Sequence, residues 1–296
     1  MTLLITLLTL AQVALAGPRV AVIQSDDIAV YTDPVAPFLA ALGEPASVYN
    51  LYGRRSEADA LIEHLRWEEP DVVFALGAKA AWTVRHRMPY TPLVYAMVLQ
   101  PERYGLDGSQ VTGVMMRVFP ETHLSNFVGF FPSVHKVGVF RLPDADPMYF
   151  QALRAGANEV GLNLVEIPVE GSKQVRRTLR EIDDLDALWL QNDRDLVSPD
   201  SFRGLVEDTR RRRLPLLVES DNMVRAGGLF AVVPEPASIG GQSAKMVRRI
   251  LDGASPAIIP VEPPEEVEVA LNLRTLRASD LFLDELLLDF VDVLIE

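Results

Sequence analysis

From residue 18 onward, short apolar runs that do not alternate in polarity are separated by longer amphipathic stretches, and this rhythm restricts the fold more than any single motif. Residues 19–23, 71–76 and 92–98 are short and rich in branched side chains, so they read as strands buried on both faces. Between them Val35, Phe38, Leu39 and Leu42 recur at helical spacing before Gly43, and Ala58, Leu61, Ile62 and Leu65 form a second helical face. Residues 78–87 continue as a helix after Gly77. Buried strands alternating with helices make a parallel sheet covered on both sides.

The rhythm then restarts. Residues 136–140, 164–167, 187–190 and 216–218 read as strands, with helices over 149–160, 173–182 and 201–213. Two such series fit two α/β lobes better than one very wide sheet. Residues 229–233 and 239–251 make one more strand-helix unit, followed by strands over 258–261 and 267–271. The tail from 281 to 295 is apolar with interspersed acids and predicts one or two amphipathic helices on the second lobe.

The chain has 296 residues, 49% of them hydrophobic, which suffices for a large core and more than one domain. A net charge of −13, with the acids spread along the chain, argues against nucleic acid as a partner. The one basic run, Arg210 to Arg213, falls at a helix end, where cations complement the exposed carbonyls. With no cysteine there is no disulfide, no thiol nucleophile and no lipid-modified cysteine anchor. Residues 1–16 read as an export signal: 3–15 are apolar, and Ala14-Leu15-Ala16 precedes Gly17. No Lys or Arg follows Met1, so the positive end rests on the α-amino group. The run is shorter than the roughly 20 residues needed to span a bilayer, and residues 18–23 already supply a first strand. A soluble periplasmic product, not inserted in a membrane after cleavage, is the expectation.

In parallel α/β sheets ligands bind beyond the carboxyl ends of the strands. Four such exits carry polar residues: Gln24-Ser25-Asp26-Asp27, Gly77-Ala78-Lys79, Gln191-Asn192-Asp193-Arg194-Asp195 and Glu219-Ser220-Asp221-Asn222. The Ser, Asp and Asn residues taken singly are also favoured helix caps; together the exits present carboxylates and amides at one sheet edge in both lobes. Tyr31 and Tyr95, near strand ends, are candidates for stacking on a ligand. Asp26 and Asp27, adjacent on an extended segment, point to opposite sides and make a poor catalytic dyad. No dinucleotide fingerprint, phosphate loop or nucleophile elbow occurs, so neither an enzyme nor a cofactor is expected. His64, His86, His123 and His135 are scattered and read as structural or surface residues, and no metal is expected. Trp67, Trp82 and Trp189 read as packing residues.

Five stretches together carry a family resemblance: Asp71-Val-Val-Phe-Ala-Leu-Gly-Ala-Lys-Ala-Ala, Thr91-Pro-Leu-Val-Tyr-Ala-Met-Val-Leu-Gln-Pro, Gln110-Val-Thr-Gly-Val, Ile239-Gly-Gly-Gln-Ser-Ala with Ile250-Leu-Asp-Gly, and Val267 through Leu271-Asn-Leu-Arg-Thr. In their order and spacing the chain resembles the ABC-transporter substrate-binding proteins of the tryptophan- and tyrosine-binding type. The resemblance implies a type I periplasmic-binding-protein fold: two Rossmann-like lobes joined by a three-segment hinge. Lobe 1 would comprise residues 18–115 plus 230–260, and lobe 2 residues 116–229 plus 261–296. It further implies a small-molecule ligand, with an amino acid and especially an aromatic one favoured, held between lobes by hinge closure. A membrane permease would be the partner of a monomeric chain, or, alternatively, a membrane receptor that senses ligand occupancy.

The family's binding positions carry over unevenly. Ala78 stands where Thr or Ser is usual, and Gln100 where an Asp often precedes Pro. Asn192-Asp193-Arg194 replaces Thr-Asp-Asn, and Ser220-Asp221-Asn222 replaces Ser-Asp-Asp. Residues 142–147 replace an Asn-rich loop. For an α-amino acid, Asp193 or Asp221 would take the ammonium, and Ala78-Lys79 or Arg194 the carboxylate. Ser25, Asp26, Asp27 and Tyr31 complete the expected site.

Overall fold

Strands β1 (Val20–Gln24), β2 (Ala46–Asn50) and β3 (Val72–Leu76) lead the first lobe, and β1 and β3 are buried at every residue. Such strands belong inside a sheet covered on both faces. With β4 (Leu93–Ala96) and β5 (Val111–Gly113) they form a parallel five-stranded sheet in the order β2-β1-β3-β4-β5. The computed structural model describes residues 17–296; the export signal expected over 1–16 lies outside the described residues. Helices α1 (Ala29–Thr32), α2 (Val35–Leu42), α3 (Arg55–Glu68) and α4 (Ala78–Arg87) link the strands. Their buried faces follow the periodicity, with Phe38 and Leu42 on α2 and Ala58, Ile62 and Leu65 on α3.

The second sheet contains β6 (Lys136–Arg141), β7 (Asn163–Pro168), β8 (Ala187–Trp189) and β9 (Leu216–Leu217). It continues through β10 (Phe230–Pro234), β11 (Val267–Asn272) and β12 (Val293–Ile295), in the order β12-β11-β10-β9-β8-β6-β7. Its pairs are parallel except β10 with β11. Helices α5 (Pro120–Phe130), α6 (Pro147–Glu159), α7 (Ser172–Glu181), α8 (Pro199–Arg211) and α9 (Asp221–Arg225) follow in this half. The long α10 (Pro236–Leu251) returns to pack on α2 of the first lobe, and α11 (Leu273–Arg277) belongs to the second. The result is the α/β fold with two parallel-sheet lobes that the sequence predicts.

Three differences from the sequence expectation have physical causes. Residues 230–234, assigned to the first lobe, are a strand of the second sheet. Phe230 pairs with Leu217 and Leu271 and packs on Phe127 and Phe130, at 5.6 and 5.3 Å between ring centroids. Residues 258–261 are not a strand: a 3-10 helix (Pro256–Ile258) runs into the last lobe crossing. The tail holds a 3-10 helix (Glu285–Phe290) and the edge strand β12 rather than amphipathic α-helices, because Val293 to Ile295 pair with β11. Trp67 and Trp82 are also not core residues, being 83% and 45% exposed, while Trp189 is buried as expected.

The chain crosses between lobes near residues 114–119, 234–236 and 259–266. The crossings are tied together by backbone bonds from Met115 N to Glu262 O (2.9 Å), Glu262 N to Gly113 O (3.1 Å) and Glu235 N to Glu266 O (3.0 Å). Buried Gln242 on α10 clamps the last crossing, donating to Pro263 O at 2.8 Å and accepting from Glu265 N at 3.2 Å.

The approach of α10 to α2 depends on Gly240, where a Cβ would overlap the Pro34 carbonyl; Gly241 beside it has open space. Gly240→Ala should therefore destabilise the protein by about 1–3 kcal/mol through overpacking. Gly241→Ala should be neutral or stabilise it by up to about 1 kcal/mol through helix propensity. Denaturant titration of the two variants distinguishes these outcomes.

Candidate ligand-binding site

A cleft of about 590 Å³ opens between the lobes at the carboxyl ends of the strands. From the first lobe it is lined by Tyr95 on β4 and by residues 98–103, and from the first crossing by Met115, Met116, Arg117 and Val118. From the second lobe come the exits of β6, β8 and β9 together with α5 and α6. A strand's alternation explains the polar floor. Val218 turns into the core after β9, and the next residue, Glu219, faces the cleft. After β8, Leu190 is buried and Gln191 and Asn192 line the cleft.

Glu219 is the centre of this floor. One carboxylate oxygen accepts the Asn192 backbone N–H at 2.9 Å, and the other accepts the Tyr149 hydroxyl at 3.1 Å. Tyr149 is set by the start of α6, where the Asp146 side chain caps the helix by accepting from Met148 N at 2.9 Å. The Arg117 guanidinium lies over the Tyr149 ring, 4.9 Å from its centroid. No Lys, Arg or His nitrogen among the described residues comes within 4.0 Å of Glu219. Burial pushes its pKa up, opposed by the Asn192 N–H, the Arg117 charge, Tyr149 and Trp189. Burial also raises the pKa of Tyr149, keeping it a donor. Trp189 Nε1 approaches the carboxylate but completes no hydrogen bond, and Gln191 Oε1 likewise has no partner among the described residues.

The cleft carries six carboxylates, from Glu102, Asp144, Asp146, Asp193, Asp195 and Glu219, against the guanidiniums of Arg103 and Arg117. Arg103 is engaged across the cleft by Asp195 at 3.1 Å, which joins the two lobes. That excess of negative charge, beside Tyr95, Phe140, Phe150 and two methionines, suits a small apolar body carrying a cationic group. Among the described residues no cluster of His, Cys, Asp or Glu has metal-binding geometry.

Of the residues expected from sequence, Tyr95, Gln100, Asn192 and Asp193 line the cleft, as do Gln191, Asp195 and Glu219 of the two second-lobe exits. Arg194 faces a neighbouring depression with Glu170 and Lys173. Ser25, Asp26, Asp27, Tyr31, Ala78 and Lys79 gather at the carboxyl edge of the first sheet but outside the cleft lining. Ser25 is buried and its Oγ accepts Ala80 N at 3.0 Å, Asp27 N donates to the Asp26 side chain, and Lys79 bonds the Gly53 carbonyl. Tyr31 crowds Gly77, whose φ of +90° suits glycine and where a Cβ would come within 2.6 Å of the ring. Ser220 caps α9, Asp221 pairs with Arg225 at 3.6 Å, and Asn222 O accepts Ala226 N at 3.0 Å; none of the three lines the cleft. Arg117, Tyr149 and His123 were not among the expected site residues, and Glu219 was named in its strand exit but not singled out as a ligand contact. For Glu219 the signal was present, as the first polar residue on the cleft-facing side of a strand exit.

A profile described as ABC transporter substrate binding protein matches residues 47–292, most of the chain. The chain belongs to this family. It is 21% identical over 223 residues to a tyrosine-binding protein of Clostridioides difficile, an alignment covering 72% of this chain and 64% of that one. Its fold matches the ligand-free, open structure of a substrate binding protein with adhesive properties from Clostridium difficile. That match has a TM-score of 0.74 at 17% identity, over 95% of this chain and 99% of the other. A complex of an ABC domain with L-Trp from Streptococcus pneumonia matches with a TM-score of 0.62 at 20% identity, over 95% and 100% of the two chains. The substrate-binding family and the type I periplasmic-binding-protein fold agree with the resemblance drawn from sequence. No helix among the described residues is long and apolar enough to cross a membrane.

His123 supplies a pH-dependent prediction. Its burial pushes the pKa down to about 3 from the ordinary 6.5. The unfolded chain therefore takes up this proton first, and the stability associated with neutral His123 is lost as pH falls from about 6.5 toward about 3. His123→Gln should flatten that part of the profile. Denaturant titrations at about pH 7 and about pH 4.5 should give a smaller difference for the variant than for the wild type.

Proposed function

We propose that this chain is the exported binding component of an ABC-type uptake system, capturing an α-amino acid, aromatic ones favoured, between its lobes without chemical change. A membrane permease would read ligand-linked closure of a monomer. The observation that carries the ligand class is Glu219 with Arg117 beside it. The carboxylate, held by Tyr149 and the Asn192 N–H, is free to receive an ammonium. The Arg117 guanidinium, which stacks on the same Tyr149, makes no ion pair within 4.0 Å among the described residues and is free to receive a carboxylate. Tyr95, Phe140 and Phe150 give an aromatic side chain apolar surface. The volume falls within the roughly 300–1,000 Å³ common for small-ligand clefts. Family membership supports the permease partnership, and the apolar segment before Gly17 supports export.

Amino acids titrated into the full chain should raise its melting temperature. A ligand at a hundredfold excess over its Kd adds about 2.7 kcal/mol of stability. Glu219→Gln and Arg117→Gln should each weaken the best ligand about tenfold or more, as expected when one member of a charge-assisted contact is neutralised. Asp221→Ala, outside the cleft, should leave affinity nearly unchanged. Absence of any shift across the amino acids, or unchanged affinity in both cleft variants, contradicts the proposal.

A further inference from the structure

His123 reaches the cleft from α5 and is 3% exposed, yet its ring nitrogens make no hydrogen bond with any described residue. Its close neighbour is Trp189, with ring centroids 5.0 Å apart and planes tilted by 44°. Val118, Phe150 and Val232 line the same cleft and give it apolar surface. Burial alone holds the ring neutral, and a neutral imidazole offers one N–H donor and one nitrogen acceptor. The imidazole lines the cleft without a partner among the described residues, so both its donor and its acceptor are free to pair with a polar atom of a ligand there. Trp189 has Glu219 near its indole N–H and His123 against its ring, so the two polar groups flank one side chain.

The geometry points to His123 as a specificity-determining residue that hydrogen-bonds a polar atom at the far end of the ligand's side chain. This inference rests on the cleft being the amino-acid site proposed above. A ligand anchored through its amine on Glu219 extends over the apolar wall toward His123. The cleft then selects a ring bearing a hydroxyl or N–H over a plain phenyl ring, because the unsubstituted ring leaves the imidazole unpaired.

L-tyrosine and L-phenylalanine differ by one hydroxyl, and calorimetric titration of the full chain with each measures the selection directly. The wild type should bind tyrosine about tenfold or more tightly than phenylalanine. His123→Leu should bring the two within about twofold, chiefly by weakening tyrosine, since the hydroxyl loses its partner. His123→Gln keeps a donor and an acceptor and should retain part of the preference, which provides a second reading if the leucine variant fails to fold. Equal binding of the two amino acids by the wild type, or an undiminished preference in both variants, overturns the role of His123 and leaves the amino-acid site standing. Failure of folded wild-type protein to bind either one overturns this inference; the wider amino-acid reading falls only if the remaining amino acids fail as well.

Discussion

The site is organised around a carboxylate that the fold has drawn partly out of water without supplying a cation. Removing such a group from solvent costs several kcal/mol unless donors or an opposite charge replace the lost water. Glu219 receives one donor on each oxygen, from Tyr149 and from the Asn192 backbone. Arg117 contributes its charge from a stacked position on Tyr149 rather than through contact. The wall is thus satisfied by neutral donors while its carboxylate keeps no ion pair among the described residues.

The scaffold keeps this wall separate from the opposite lobe. The four apolar core clusters divide two and two between the lobes, and none spans the cleft. The connections between lobes are the three backbone crossings, bonded to one another and clamped by Gln242, with the Arg103–Asp195 pair bridging the cleft. Relative movement of the lobes therefore leaves both cores intact. This is the mechanical condition for a hinge, whose strain falls on a few residues at element ends.

The architecture was legible because its determinants are periodic. Strands such as Val72–Leu76 announce two-sided burial, and the spacing of Ala58, Ile62 and Leu65 fixes a helix face. The lobe of Phe230–Pro234 was not legible, since an apolar strand fits either sheet and only the aromatic contacts of Phe230 decide. In the site, Asn192 and Asp193 stood out as polar residues at a strand exit. Ser25, Ser220 and Asp221 have the same composition but are engaged in helix capping and a local ion pair. Arg117 and Tyr149 gain their positions from the lobe crossing and from the start of α6, which no local pattern encodes. His123 looks like one more residue on a buried helix face until the cleft beside it is visible.

Whether Glu219 receives the ligand's cation is tested most directly by calorimetry of amino-acid binding near pH 5, in buffers of different ionisation enthalpy. Burial raises the Glu219 pKa, so part of the free protein carries a proton there, and an arriving ammonium lowers that pKa again. Binding should release protons to the buffer, affinity should increase as pH rises through the range where Glu219 titrates, and Glu219→Gln should abolish both effects. Proton uptake on binding, or proton release of the same size in the variant, would contradict the account.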